Sequence, residues 1–365
     1  MNFAIRSLRA RPLRVPLLDP FRIATATLTT TLAEEIELVL EKDGVTHIGL
    51  GEAATLPPVT RETPDDVQRM VPMLEAALQA LNSIGSMDAL TPILDAHLHA
   101  HPVLRAGIET AWLDAFSKQE GKSLAHVLAG DLPWCEQDFE TDITIPIAAP
   151  ARMGELAGEW AARGFHSLKV KVGRAPEDDL EGIRAIVANA PRARLRLDAN
   201  AVMTARDALS FMDDVLLVGG NIELFEQPCR ADDLEGMAEV TKQCGGVPII
   251  ADESCKTLAD VDALASRGAA TGVNLKLVKH GGLLASLAIA RRAREHGLQL
   301  MAGAMVETRL GLTAMLHLVT VIGVDYLDLD TALLLTEDPY VGGYVERLPQ
   351  LRIDSSRLGL GIARR

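Results

Sequence analysis

Three acidic residues recur at near-equal spacing, each closing an apolar run and each followed by turn-forming residues: Asp198 in LRLDAN, Glu226 in IELFEQP and Asp252 in PIIADES. The intervals are 28 and 26 residues. Lys171 in SLKVKVG, with Lys169 two residues before it, precedes the first acid by 27 residues, and Lys276 in GVNLKL follows the last by 24. A buried strand, a loop and a crossover helix together take about 25 residues, and parallel strands cannot be joined by anything much shorter. The spacing therefore predicts a repeated βα unit.

Reading outward, strands are expected near 142–147, 167–171, 195–198, 222–226, 247–252, 273–276, 298–303 and 326–329. Helical periodicity lies between them over 153–163, 178–189, 205–215, 259–266 and 283–296. Eight such units close a barrel and need roughly 250 residues, so a chain of 365 leaves room for a second domain. The fold class is α/β: a TIM-type (β/α) barrel with an N-terminal α+β capping domain. Residues 1–128 are assigned to the cap, 129–340 to the barrel, and 341–365 to a segment returning to the cap. Within the cap, strand-like runs at 36–40 and 47–53 flank the turn Lys42-Asp43-Gly44, and helical stretches follow at 64–81 and 104–118. Each acid and lysine singled out falls at a strand's carboxyl end, where barrel enzymes carry their chemistry.

Hydrophobic residues make up 48% of the chain and charged residues 24%, enough for a large core in a globular protein. The net charge of -14 argues against nucleic acid or an anionic membrane as partner, because these attract clustered Lys and Arg. No 18-residue apolar stretch exists, and the start MNFAIRSLRARPLR carries no apolar signal-peptide core, so a cytoplasmic location is the expectation. Cys135, Cys229, Cys244 and Cys255 show no framework spacing, and reduced thiols are expected.

Two Asp and one Glu without histidine or thiolate form a hard-metal set. Asp198, Glu226 and Asp252 suit Mg2+, one per subunit, better than Zn2+. Lys169 and Lys171 share one strand face, which must be the barrel interior. Burial, the neighbouring ammonium and a nearby cation would each pull a lysine below its reference of about 10.4, toward the range of a base. Lys171, nearest the strand end, is the better candidate base, and Lys276 enters the same mouth from the opposite side.

KVK, DAN, EQP, DES and NLKL in this order, with Gly49-Leu50-Gly51-Glu52-Ala53 in the cap, resemble the enolase superfamily in its muconate-lactonizing subgroup. The likeness spans both domains. It implies that a substrate carboxylate meets Mg2+ held by Asp198, Glu226 and Asp252, that a lysine removes the α-proton, and that the resulting enediolate is stabilised. With Lys171 on one face and Lys276 on the other, and Lys169 and Glu307 in supporting places, epimerisation is the natural outcome. Asp328 and Asp330 in YLDLDTALLL resemble the pair by which dipeptide epimerases hold the substrate's ammonium group.

The chain departs from epimerases of L-Ala-L-Glu in the loop Asp19-Pro20-Phe21-Arg22-Ile23-Ala24-Thr25-Ala26. The similar loop there carries an arginine where this chain has Ala26. Ile23, Ala26 and Leu56 then suit an apolar or aromatic second residue in a dipeptide. Three readings stay open: a dipeptide epimerase; a related cycloisomerase, dehydratase or N-acylamino acid racemase; and a barrel that binds ligand without turnover. Barrel enzymes of this kind often assemble from identical subunits, and no interface is legible here. His97-Leu98-His99-Ala100-His101 has the look of a metal cluster but lacks nearby acids at ligand spacing, and reads as surface histidines.

Overall fold

Repeated apolar runs of three to six residues, each followed by a helix, leave the strands only one way to bury both faces, and that is a parallel sheet wrapped by helices. The computed structural model of the chain describes residues 3–79 and 87–365. Its central sheet holds eight strands: β1 (Ile143–Ile145), β2 (Ser167–Lys171), β3 (Arg194–Asp198), β4 (Asn221–Glu226), β5 (Ile249–Ala251), β6 (Gly272–Leu275), β7 (Gln299–Gly303) and β8 (Tyr326–Asp328). Sequential strands are spatial neighbours throughout, all parallel. β8 returns to β1 through one parallel bridge, Thr141 to Leu327, with Asp142 N–H donating to Leu327 O at 3.1 Å. All eight expected strands are present, so the barrel was read correctly. The helices Leu234–Gln243 and Arg309–Ile322 complete the outer ring.

Leu224, Ile250 and Met301, from β4, β5 and β7, form a small apolar group separate from the main core, with Tyr326 packed on it. The main core lies outside the sheet among the helices, so this second group is the plug of the barrel interior. Charged side chains occupy the strand ends beyond it.

The N-terminal part folds as a three-stranded antiparallel sheet, Ala4–Leu13, Ala33–Lys42 and Val45–Ala54. Lys42 pairs with Val45 across a two-residue turn in which Asp43 (φ 53°) and Gly44 (φ 81°) are both left-handed, as a tight hairpin requires. The helix expected over 64–81 runs Pro64–Gln79, and residues 80 and 81 lie outside the described residues. A separate hairpin, Pro16–Arg22 with Thr27–Thr30, reaches over the barrel mouth. At the C-terminal end, Tyr340–Gly342 pairs with Ile362–Arg364, and Arg364 bonds Glu35 and Glu37 of the cap sheet. The short stretch expected at 351–353 is part of Gln350–Ile353, which pairs instead with Tyr344–Arg347 and with Phe139–Glu140, just before the barrel's first strand.

Helix Pro102–Gln119 lies directly on the strand Val45–Ala54. A Cβ on Gly49 would sit 1.8 Å from Ala111 O, and one on Gly51 would sit 2.0 Å from Gly107 O. The glycines of the GLGEA segment are therefore demanded by backbone against backbone. Gly51→Ala should cost about 3 kcal/mol or more in urea unfolding. Gly44→Ala, which meets open space and only the left-handed φ penalty, should cost about 1 kcal/mol.

Candidate active site

Both lysines of β2 point into the barrel. Lys169 is 2% exposed and Lys171 6%. Lys169 Nζ lies 2.7 Å from Glu226 Oε2, 2.7 Å from Asp328 Oδ2 and 3.1 Å from Asp198 Oδ2. Lys171 Nζ donates to Asp198 Oδ2 at 2.5 Å. Lys276, the first residue after β6, donates to Asp252 Oδ2 at 2.7 Å, and the other oxygen of Asp252 accepts from Lys279 Nζ at 2.6 Å. Asn274 donates to Glu226 Oε1 at 2.7 Å, while Glu226 Oε2 has no hydrogen bond despite its closeness to Lys169.

Without a cation in place, Lys169 and Lys276 are surrounded by acids that favour their charged forms. Burial disfavours the charge on Lys169, but Asp328, Glu226, Asp198 and Asp142 outweigh it and hold the ammonium well above its ordinary value. Lys276 is likewise raised, burial being overcome chiefly by Asp252. Like-charge repulsion between lysines loses to their carboxylate partners, which are nearer and more numerous. Burial opposes the charge on Asp198 and Asp252 too, yet the adjoining lysines keep both carboxyls below the usual range.

The loops after β3 and β4 carry non-glycine residues in left-handed backbone: Asn200 (φ 46°), Ala201 (φ 64°) and Gln227 (φ 35°). Such conformations cost energy and persist where surroundings over-determine them. Gln227 shows how. Its Oε1 accepts from Asp252 N at 2.8 Å and Ser254 N at 3.0 Å, and its amide donates to Ser254 Oγ and Cys229 O. One side chain thereby locks the loop that aims Asp252. Gln227, Asn274 and Lys279 were missed in the sequence, and the weak signal for Lys279 was its place three residues after Lys276.

Of the residues named from sequence, Lys169, Lys171, Asp252, Lys276, Asp328, Asp330, Ile23 and Leu56 line one cavity of about 30 Å³. Phe21, Val59, Thr144, Asn200, Glu253, Met305 and Val306 add to its walls. Asp198 and Glu226 lie beneath it, bonded to its lysines. Ala26 is not in this wall: it lines a second opening with Arg22 and Arg174, one that Ile23 borders as well. A larger cleft of about 360 Å³ between the cap and the loops after β5 and β6 shares Val59, Asp252, Glu253 and Met305 with the lysine cavity.

The predicted metal acids do not close on one point, since lysine nitrogens stand between them. Among the described residues, the group of acids whose oxygens lie within 4.8 Å of one another is Asp142, Asp328 and Asp330. Asp330 Oδ2 accepts from Thr144 N at 2.5 Å, and burial together with Asp328 pushes its carboxyl up to about 7. His97 and His99 are exposed, and His101, beside the helix Pro102–Gln119, lies 4.0 Å from Glu62. All four cysteines are free, and burial pushes the Cys255 thiol up to about 11.

The chain matches the family described as Enolase C-terminal domain-like over residues 152–363. The chain belongs to the enolase superfamily. Its relatives place this superfamily member among the epimerases. It is 39% identical over 356 residues to an L-Ala-D/L-amino acid epimerase of Populus trichocarpa, covering 94% of this chain and 81% of that one. It is 34% identical over 348 residues to an aromatic dipeptide epimerase of Herpetosiphon aurantiacus, covering 95% of each. The crystal structure of a dipeptide epimerase from Enterococcus faecalis, complexed with Mg and L-Leu-L-Tyr, superposes with a TM-score of 0.87 at 30% identity over 99% of both chains. The protein is an isomerase of the epimerase class, and none of its described helices is long and apolar enough to cross a membrane.

Glu307 does not line the cavity and lies near Glu52 of the cap. Glu52 accepts from Thr308 N, Thr308 Oγ1 and Gly311 N at 2.6–3.2 Å, at the start of the helix Arg309–Ile322. Burial pushes Glu52 up to about 7, against those bonds, and burial with the nearby Glu52 pushes Glu307 up to about 8. A carboxyl raised in the fold keeps its proton there longer than in the unfolded chain, so its contribution is full below about pH 4 and declines as pH rises toward 7 to 8. The fall in Tm between pH 5 and pH 8 should therefore be smaller in Glu307→Gln than in the parent, measured by calorimetry.

Proposed function

We propose that the protein is a Mg2+-dependent dipeptide epimerase acting on L,L-dipeptides with an apolar or aromatic C-terminal residue. The observation that carries this reading is one cavity holding Lys171, Lys276 and the Asp328–Asp330 pair under a largely apolar wall of Phe21, Ile23, Leu56, Val59, Met305 and Val306. Relatives that act on aromatic and hydrophobic dipeptides support the same reading.

The site is suited to a cation. Asp198, Glu226 and Asp252 offer only oxygen, the donor set of a hard ion, and Glu226 Oε2 is held only by the Lys169 ammonium at 2.7 Å. The tighter group at Asp142, Asp328 and Asp330 also offers only oxygen, but Asp198 and Asp252 are the acids that stand against Lys171 and Lys276, and we assign the cation to them. We assign Asp328 and Asp330 to the substrate's ammonium group. A bound Mg2+ supplies Lewis-acid stabilisation for the charge that develops on the substrate carboxylate when the α-proton leaves.

The chain's own residues do the rest. One of Lys171 and Lys276 accepts the α-proton as a neutral amine and the other returns a proton to the opposite face as an ammonium. The carboxylate pairing of Lys276 shown here is that of the proton-donating form. Asp328 and Asp330 fix the amino end, so the α-carbon is held between the two nitrogens. Ligand pockets usually hold about 300 Å³ or more, far beyond the 30 Å³ of the lysine cavity. A dipeptide would therefore extend into the adjoining cleft of about 360 Å³, which shares Val59, Asp252, Glu253 and Met305 with this cavity.

Incubation with Mg2+ and Ala-Phe, Ala-Met, Ala-Glu and Ala-Lys in deuterated water, read by mass spectrometry, tests the reading. Deuterium should enter Ala-Phe and Ala-Met fastest, and Lys171→Ala or Lys276→Ala should slow formation of the epimer, read by chiral chromatography, by about 10³-fold. Fastest exchange in Ala-Glu would overturn the apolar preference, and exchange in none of them would overturn the dipeptide assignment. Mg2+ should also raise the Tm of the parent, and Glu226→Gln should abolish most of that rise in a thermal-shift titration.

A further inference from the structure

We infer that Arg196 is a positioning residue for the substrate's amino end, acting through Asp142 and the eighth strand. The inference rests on the reading that Asp328 and Asp330 take the ammonium group. Arg196 lies on β3 in register with Lys169 of β2, inside the barrel and 4% exposed. Its Nη1 donates to Asp142 Oδ2 at 2.9 Å, just before β1, and to Leu327 O of β8 at 2.8 Å. Its Nε donates to Glu223 Oε2 of β4 at 2.6 Å, and the guanidinium stands over the Tyr326 ring at 5.3 Å.

One planar fork thus ties β3 and β4 to both strands of the seam where the barrel closes, a seam whose direct ladder is a single bridge. Only the rigid geometry of arginine satisfies three acceptors on three strands at once. Asp328 follows Leu327 directly, so the bond to the Leu327 carbonyl sets where the acid pair begins. Arg196 also neutralises Asp142, whose second oxygen has no hydrogen bond and whose carboxylate stands within 4.8 Å of those of Asp328 and Asp330. Arg196 itself does not line the cavity, so it reaches the substrate only through these acids.

The test compares two ligands that differ only in the amine: L-Ala-L-Phe and propionyl-L-Phe, with affinities measured by calorimetry in Mg2+. The ratio of the two dissociation constants reads the amino-end subsite alone. Arg196→Lys, which keeps the charge and loses the fork, should reduce that ratio by about tenfold, with residual kcat on Ala-Phe changed less than KM. Arg196→Met with Asp142→Asn, which removes the pair and leaves Glu223 its ion pair with Arg194, should reduce it as far. An unchanged ratio, or equal weakening of both ligands, in a variant whose Tm shows it folded would overturn the proposal. Asp328→Asn separates the two levels: if it too leaves the ratio unchanged, the ammonium reading has failed rather than the role of Arg196.

Discussion

The site depends on mutual compensation of buried charge. Lys169 sits among Asp198, Glu226 and Asp328, and Asp252 is shared by Lys276 and Lys279. None of these groups could be buried alone at an affordable cost, because an isolated ion in a low-dielectric interior is displaced into its neutral form. Each is admitted because the next strand supplies its opposite. The acids and bases proposed to carry the chemistry are therefore also each other's partners in the barrel mouth.

That layer rests on a dry floor. Leu224, Ile250 and Met301 close the barrel beneath it, which lowers the dielectric around the charges and strengthens every pair. The left-handed backbone at Asn200, Ala201 and Gln227 belongs to the same scheme. These loops leave strands that end in a ligating type of residue and must turn sharply to present it. The amide of Gln227 spans two such loops and shows how neighbouring units of the repeat are coordinated.

The barrel was legible because strand, loop and helix repeat within about 25 residues, a local pattern that needs no knowledge of distant contacts. Lys169, Lys171 and Lys276 were legible for the same reason, as charges in otherwise apolar strands. What was not legible is non-local. The first cap strand, Ala4–Leu13, takes its meaning from pairing with residues 33–41, and Gln227 acts on a loop 25 residues away. The inward-pointing residues of the hairpin could not be separated from their neighbours by position, so Ile23 and Leu56 fell in the cavity wall while Ala26 fell outside it. The acid partners of Lys169 and Lys276 were not legible, because repulsion between sequence neighbours is visible in a sequence, whereas attraction to acids on other strands is not.

Glu52 gives the cap a particular relation to the barrel. A carboxylate on a cap strand receives the free amide groups at the start of the helix Arg309–Ile322, the helix that follows the loop carrying Met305 and Glu307. The two parts are thus not a lid resting on a vessel. On the proposed reading, in which Ile23 and Leu56 of the cap help to set specificity, a cap borrowed from a relative would bring its selectivity only together with a carboxylate placed to meet that helix.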